Sequence, residues 1–483
     1  MIAAVAFVVI LVLAPDGLWL DEATSARIAS LPFPDFFRFV TGGGEPNMAL
    51  FHSLLWPVAQ FEPADRVLRI LPVAAGCLSL GATYLLGRRL FDTTTAVVAI
   101  VLLAVHGMTT RYATEVRGYS LMVMLTLFAA LTLHRAVVEP RRRTWMIYGA
   151  LAVLAYFAHE LALLAIGGQL LSLLALGRRT PWKPMLGVGA VLAGTFIGWR
   201  AITASANRTE GVRWIPDLSV EQVTATLRAI SGGSDMTLVV VGALAIGGVV
   251  LAFARLRNVG PGPAAWPGIL ATSAFVVPLV AALLLSLAQP MFLPRYFQAV
   301  LPPMALLVGS AVSALPRRPT LAVACTTLVA AAVLVDHPTL DRRDRGGSNE
   351  AAAYVAARAR AGDAIFLPHN EELGALQWYA GGRLDGGVVD PRPGTPPDAL
   401  TSDWWWEDPN RMGDGLADAA ALDPELWRAS LVSYDRVWVV TGFLDENPKF
   451  FDTGSAVVPE GRTLCSRESF GTADVSLWAH GCD

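Results

Sequence analysis

Charge is what this chain lacks most. Only 16% of its 483 residues are Asp, Glu, Lys or Arg, where a soluble protein of ordinary composition carries about a quarter. Lysine is almost missing: Lys183 and Lys449 are the only two, and every other basic side chain is an arginine. With the abundant Ala, Gly and Pro, that bias reads as genome composition rather than function. The net charge is −3, so nothing points to a nucleic-acid partner. Cysteine is scarce as well. Cys77 and Cys325 lie in apolar runs and read as buried thiols, while Cys465 and Cys482 flank the last segment of the chain. In an extracytoplasmic setting those two are placed to close that segment as a disulfide. The charge deficit is uneven. Apolar runs dominate from Met1 to about Asp336, and composition is ordinary from His337 onward.

What fills the first part is hydrophobic sequence, 54% over the whole chain. A helix needs about 20 mostly apolar residues to cross the hydrocarbon. Eleven candidates satisfy that, at about 1–15, 69–87, 94–110, 118–138, 145–162, 163–177, 185–203, 236–254, 267–288, 297–315 and 319–336. The first is short but has no basic region before it, so it reads as a retained span rather than a signal peptide. Short loops alternate between Arg-rich and Arg-poor. The rich ones hold Arg88-Arg89, Arg135 with Arg141-Arg142-Arg143, Arg178-Arg179 with Lys183, Arg255 with Arg257, and Arg317-Arg318. All fall on one side of an eleven-span arrangement, which the positive-inside rule makes cytoplasmic. The expected fold is thus an α-helical polytopic protein of the plasma membrane with a cytoplasmic N-terminus. Residues 1–336 form its membrane domain, and 337–483 a soluble α/β domain outside.

Ionisable residues are rare near the centres of the spans, where charge is costly and usually marks an ion path. The polar residues that stand out gather at the outer helix ends and outer loops: Asp21, Glu22, Glu45, Arg111, Glu115, Arg117, Tyr119, His159, Glu160, Arg295 and Tyr296. That distribution points to chemistry at the outer membrane surface, on an amphipathic substrate. Arg117 and Arg295 each precede a span whose N-terminus faces outward. Helix N-termini favour anions by about 0.5–1 kcal/mol, and arginine pairs bidentately with phosphate, so the two together suit a phosphate site. Taken singly, each also fits an anchor that snorkels to lipid headgroups.

The first outer loop, residues 16–65, opens Leu18-Trp19-Leu20-Asp21-Glu22-Ala23 and continues as a short helix to Ser30. Phe33-Pro34-Asp35-Phe36-Phe37-Arg38-Phe39 follows, an aromatic stretch suited to the interface. Asp21 reads either as the N-cap of the short helix or as a general base held beside the membrane. Glu45, in the turn Gly42-Gly43-Gly44-Glu45-Pro46, brings back a second carboxylate. The pair can bind an acceptor hydroxyl or, with His159, hold a divalent cation.

Three motifs, in order and on a matching topology, resemble the GT-C superfamily of membrane glycosyltransferases. They are Leu18 to Ala23, the run Arg111-Tyr112-Ala113-Thr114-Glu115-Val116-Arg117-Gly118-Tyr119-Ser120, and Phe292-Leu293-Pro294-Arg295-Tyr296. The likeness covers about residues 1–336. It is nearest the family 39-like branch of protein mannosyltransferases, lipid A aminoarabinose transferase and the RgtA/B/C/D-like enzymes. The resemblance implies a polyprenyl-phosphate sugar, mannose-like, as donor, an acceptor glycan, lipid or protein on the outer face, and inversion. It implies Asp21 as the base, with Glu22 and Glu45 beside it. Arg117 and Arg295 would bind the departing phosphate, together with Arg111, Tyr119 and Tyr296. Glu115, His52 and His159 would line the site. A His-Pro-Pro-like element of many relatives is replaced here by Glu45-Pro46-Asn47-Met48, with His52 one turn on.

In the last third, 348–361 reads as a helix, 364–367 as a buried strand, 371–379 and 423–431 as helices, and 436–440 as a second buried strand. The glycine fingerprint of a dinucleotide site is missing. Trp404-Trp405-Trp406 fits either core packing or sugar stacking. Asn207-Arg208-Thr209 reads as a chance sequon. Beside glycosyl transfer stand two alternatives, a transporter or flippase and a non-catalytic scaffold. An inverted repeat with helices broken at mid-membrane would favour the transporter, and a scattering of Asp21, Arg117 and Arg295 would favour the scaffold.

Overall fold

The computed structural model describes residues 17–42, 46–61, 64–203, 215, 217–315, 331, 347–360, 362–366, 376, 378–379, 387–389, 428, 431–441, 458–471 and 473–482. The spans expected at 1–15 and 319–336, Glu45, Cys325, the sequon at 207–209, the Trp404–Trp406 run and the helices expected over 371–379 and 423–431 lie outside them, single positions apart.

Among the described residues seven helices are long and apolar enough to cross a membrane: Asp65–Leu90, Tyr119–Val138, Ala162–Arg179, Trp182–Ile202, Asp235–Val259, Trp266–Leu285 and Pro294–Ser313. The span expected at 94–110 is a pair, Thr93–Val105 and Gly107–Thr114, bent by 65° at His106, and counts as an eighth if taken as one. The one expected at 145–162 is the 17-residue helix Arg142–Ala158. Helix starts follow their caps. The Asp92 side chain accepts from the Thr95 N–H at 2.8 Å, and the Ser234 hydroxyl from the Thr237 N–H at 3.1 Å. Each satisfies a donor that the first helical turn leaves unpaired.

In lipid, helices associate by close packing, which small residues allow. A Cβ at Gly248 would lie 2.3 Å from the Leu307 carbonyl oxygen. Helix Tyr119–Val138 packs between Ile70–Leu90 and Arg142–Ala158, and Leu301–Ser313 packs against Thr93–Val105 and Asp235–Val259.

The C-terminal part holds helix Ser348–Ala356 and a five-stranded sheet in the order β2-β1-β3-β5-β4. Strands β1 (Ala364–Phe366), β2 (Gly387–Val389) and β3 (Arg436–Thr441) run parallel, as an α/β layer requires. β4 (Thr463–Phe470) and β5 (Ala473–Ala479) add an antiparallel hairpin, closed by a Cys465–Cys482 disulfide with Cα atoms 5.1 Å apart.

The sheet does not stand apart from the first loop. Ile28, Phe36 and Phe39, from helices Leu20–Ser30 and Phe33–Gly42, share one apolar core with Val355, Phe366 and Trp438. Tyr379 ties both ends of that loop. Its hydroxyl donates to Asp65 Oδ2 at 2.7 Å and accepts from the Leu18 N–H at 2.5 Å.

Candidate active site

The helix that carries the first acidic pair begins at Leu20, with Trp19 at the N-cap. Asp21 therefore sits inside the first turn and is not its cap. Glu22 does the capping, accepting from the Trp19 N–H at 3.1 Å. It also accepts two hydrogen bonds from Arg69, the Nη2 bond at 2.9 Å, and one from the Val116 N–H at 2.8 Å. Glu22 and Arg69 are both 0% exposed. A carboxylate with four donors on it and no path to solvent is a fixed acceptor rather than a proton carrier, so the expected catalytic role of Glu22 is corrected to a structural one. It fastens the Asp21 turn to the corner at Val116, and Arg69 extends the same fastening to the Thr114 and Gly17 carbonyls.

With its neighbour pinned, Asp21 points into a partly open site. Arg295 Nη1 lies 3.2 Å from Asp21 Oδ2, the two side chains being 20% and 24% exposed. These residues are 274 positions apart in the chain. Arg117 reaches the same turn from a third element, with Nη1 3.5 Å from the Asp21 carbonyl oxygen and 3.3 Å from the Ser25 hydroxyl. One carboxylate and two guanidiniums thus converge from the first loop and from two spans.

The backbone explains why Arg117 arrives there. Gly118 is the N-cap of helix Tyr119–Val138, and a Cβ on it would lie 2.3 Å from the Ala158 carbonyl oxygen. Only glycine lets the corner press this close. Arg117 therefore stands directly before a regular helix, as expected. Arg295 does not. It lies in a 3-10 turn, Pro294–Val300, interrupted at Phe297, and the α-helix proper starts at Leu301. Pro302 and Pro303 follow in its first turn, where a missing N–H costs no helix hydrogen bond. Arg295 thus sits in an irregular first turn of the span Pro294–Ser313, and its guanidinium donates to Asp21.

An aromatic wall flanks the charges. Tyr112 and Tyr119 meet edge to face at 5.1 Å, the Tyr119 and His159 rings are 5.2 Å apart, and His159 and Tyr296 6.0 Å. Arg295 also stands 5.8 Å over the Tyr296 ring. Tyr112 and Gln298 line a small groove between the spans, whose other walls include Leu80, Leu103, Val123 and Leu301 with Ser79, Thr83 and Ser120.

Other expected residues fall differently. Arg111 is exposed and stacks 5.9 Å over Tyr112, Glu115 is fully buried at the end of helix Gly107–Thr114, and Glu160 pairs with Arg200 at 3.1 Å. His159 is 2% exposed, and its Nδ1 accepts from the Leu161 N–H at 3.3 Å. His52, on helix Ala49–Ala59, is fully buried with Nε2 3.4 Å from the Ser25 hydroxyl. Burial first, and the Arg117 charge second, push its imidazole down to about 3, so it is neutral. Among the described residues no three His, Cys, Asp or Glu side chains gather as a metal site, and Glu45 lies outside them. Arg69 and Ser25 were not marked by the sequence. An arginine heading an apolar run looks like an interfacial anchor, and a lone serine carries no signal.

Three solved structures share this architecture. ArnT from Cupriavidus metallidurans bound to undecaprenyl phosphate is 14% identical, with 99% of this chain and 96% of that chain covered and a TM-score of 0.57. Its apo state is 13% identical over 100% and 97%, at 0.59. The archaeal oligosaccharyltransferase AglB from Archaeoglobus fulgidus, in complex with an inhibitory peptide and a dolichol-phosphate, is 14% identical over 99% and 73%, at 0.51. The chain therefore shares its fold with these membrane proteins. The family model described as dolichyl-phosphate-mannose-protein mannosyltransferase matches residues 46–199, about a third of the chain. That stretch holds His52, Arg69, Arg117 and His159 but not Asp21 or Arg295. No curated protein matches the chain by sequence.

Proposed function

We propose that this chain is a GT-C membrane glycosyltransferase that moves a sugar from a polyprenyl-phosphate donor to an acceptor hydroxyl, with inversion. The observation that carries the reading is the meeting of Asp21, Arg117 and Arg295. In the proposed step the Asp21 carboxylate takes the acceptor hydroxyl proton while the acceptor oxygen attacks the anomeric carbon. The bond from that carbon to the phosphate oxygen breaks. Polyprenyl phosphate departs with its electron pair, and Arg117 and Arg295 receive the growing negative charge. Tyr119, Tyr296 and His159 shape the sugar's side of the site.

The description of the matching family supports a mannose-like sugar as the first candidate. Transfer at the outer face of the plasma membrane is supported by the arginine-rich loops on the other side. The Cys465–Cys482 disulfide supports an extracytoplasmic domain for residues 337–483, because such bonds persist in oxidising compartments. The test is to incubate the purified protein with a panel of polyprenyl-phosphate sugars and with glycan, lipid and protein acceptors. One donor should be converted to polyprenyl phosphate in step with glycosylation of one acceptor class. No conversion of any donor by a folded, membrane-inserted preparation would overturn the proposal.

A further inference from the structure

Ser25 is one helical turn beyond Asp21, is 0% exposed, and joins three elements. Its hydroxyl donates to the Asp21 carbonyl oxygen at 3.0 Å. Arg117 Nη1 lies 3.3 Å from the Ser25 hydroxyl oxygen and His52 Nε2 3.4 Å from that hydroxyl oxygen. A serine hydroxyl has one hydrogen and two lone pairs. The hydrogen is committed to the Asp21 carbonyl, and a guanidinium can only donate. The His52 contact is a hydrogen bond only if the imidazole donates too, which places its proton on Nε2. All three positions of the hydroxyl are then used.

We propose that Ser25 and His52 are positioning residues that set the Arg117 guanidinium for a lipid phosphate. This rests on the reading of Arg117 given above. Towards Arg117 the hydroxyl is an acceptor, and with the Asp21 carbonyl oxygen 3.5 Å from the same Nη1 it holds the guanidinium in one orientation. His52 locks the hydroxyl's rotation from below. A neutral ring does this without bringing a third cation to the site, in keeping with its full burial. The fork of an arginine is worth most when its orientation is fixed before the anion arrives, because less freedom is then lost on binding.

The experiment measures binding of undecaprenyl phosphate to the full-length protein in detergent, for wild type, Ser25→Ala, His52→Leu, His52→Gln, Arg117→Ala and the double variant Ser25→Ala/Arg117→Ala. Ser25→Ala and His52→Leu should weaken binding about 5- to 20-fold. His52→Gln, whose amide N–H can donate where Nε2–H did, should restore binding to within about threefold. In the Arg117→Ala background, Ser25→Ala should cost nothing more, since there is no guanidinium left to position. A purely structural loss would lower the melting temperature equally in both backgrounds and leave the affinity of the folded fraction unchanged. If Arg117→Ala weakens binding and Ser25→Ala does not, the positioning role is overturned and the phosphate site stands. If neither weakens it, the phosphate site itself fails. Equal further loss from Ser25→Ala in both backgrounds also overturns the proposal.

Discussion

Replacing Glu22 with alanine removes an acceptor of four hydrogen bonds from a fully buried place, two from Arg69 and one each from the Trp19 and Val116 N–H groups. Arg69, itself 0% exposed, keeps its charge and loses its counter-ion. Removing one partner of a buried pair costs about 3–5 kcal/mol, chiefly because the other charge stays buried. Each backbone N–H left without an acceptor adds about 1–3 kcal/mol. These effects overlap, so about 5 kcal/mol is the expected loss, comparable to the whole stability of a small domain, about 5–15 kcal/mol. Thermal unfolding in detergent of Glu22→Ala, Arg69→Ala and the double variant measures it. Both single variants should melt far below wild type. The double variant should be clearly more stable than the two losses added together, since no charge is stranded in it. A Glu22→Ala protein that melts like wild type but does not turn over would put this carboxylate in the chemistry and refute the structural assignment.

Asp21→Asn keeps the shape of the turn and removes the base, so turnover should fall about 10²- to 10⁴-fold at an unchanged melting temperature; wild-type-like turnover would dismiss Asp21. Cys465→Ser opens a loop of 17 residues and should destabilise the C-terminal sheet by about 3 kcal/mol, read as faster proteolysis of that end alone. His52 gives a pH dependence with a definite sign. Its folded value lies below the ordinary 6.5, so its contribution is complete above pH 6.5 and is lost as pH falls from there towards 3. Melting temperatures between pH 7.5 and 5 should drop more steeply for wild type than for His52→Gln, and parallel curves would contradict the buried neutral ring.

What could be read in advance was decided by range along the chain. Span positions came from local runs of apolar residues, and strands β1 and β3 from short β-branched and aromatic stretches, because each signal is complete within a few residues. Asp21, Arg117 and Arg295 stood out because charge is rare here, so each charged residue near a helix end carries information. The Glu22–Arg69 pair did not, since its partners are 47 positions apart and neither has a local signature. Nor did the hairpin of β4 and β5. The largely exposed strand Thr463–Phe470 has no apolar run and is held by pairing with its neighbour. The 65° bend at His106 also escaped notice, because the flanking residues are apolar enough to pass as one helix.

The apolar core common to the first loop and the C-terminal sheet limits how this molecule can be re-engineered. A chimera that exchanged the C-terminal sheet for that of another protein would strip Ile28, Phe36 and Phe39 of their counterparts. It would also release Tyr379 from Leu18 and Asp65, three residues upstream and some forty downstream of the proposed base. Such an exchange is therefore practicable only if the strip from Ile28 to Val40 travels with the graft.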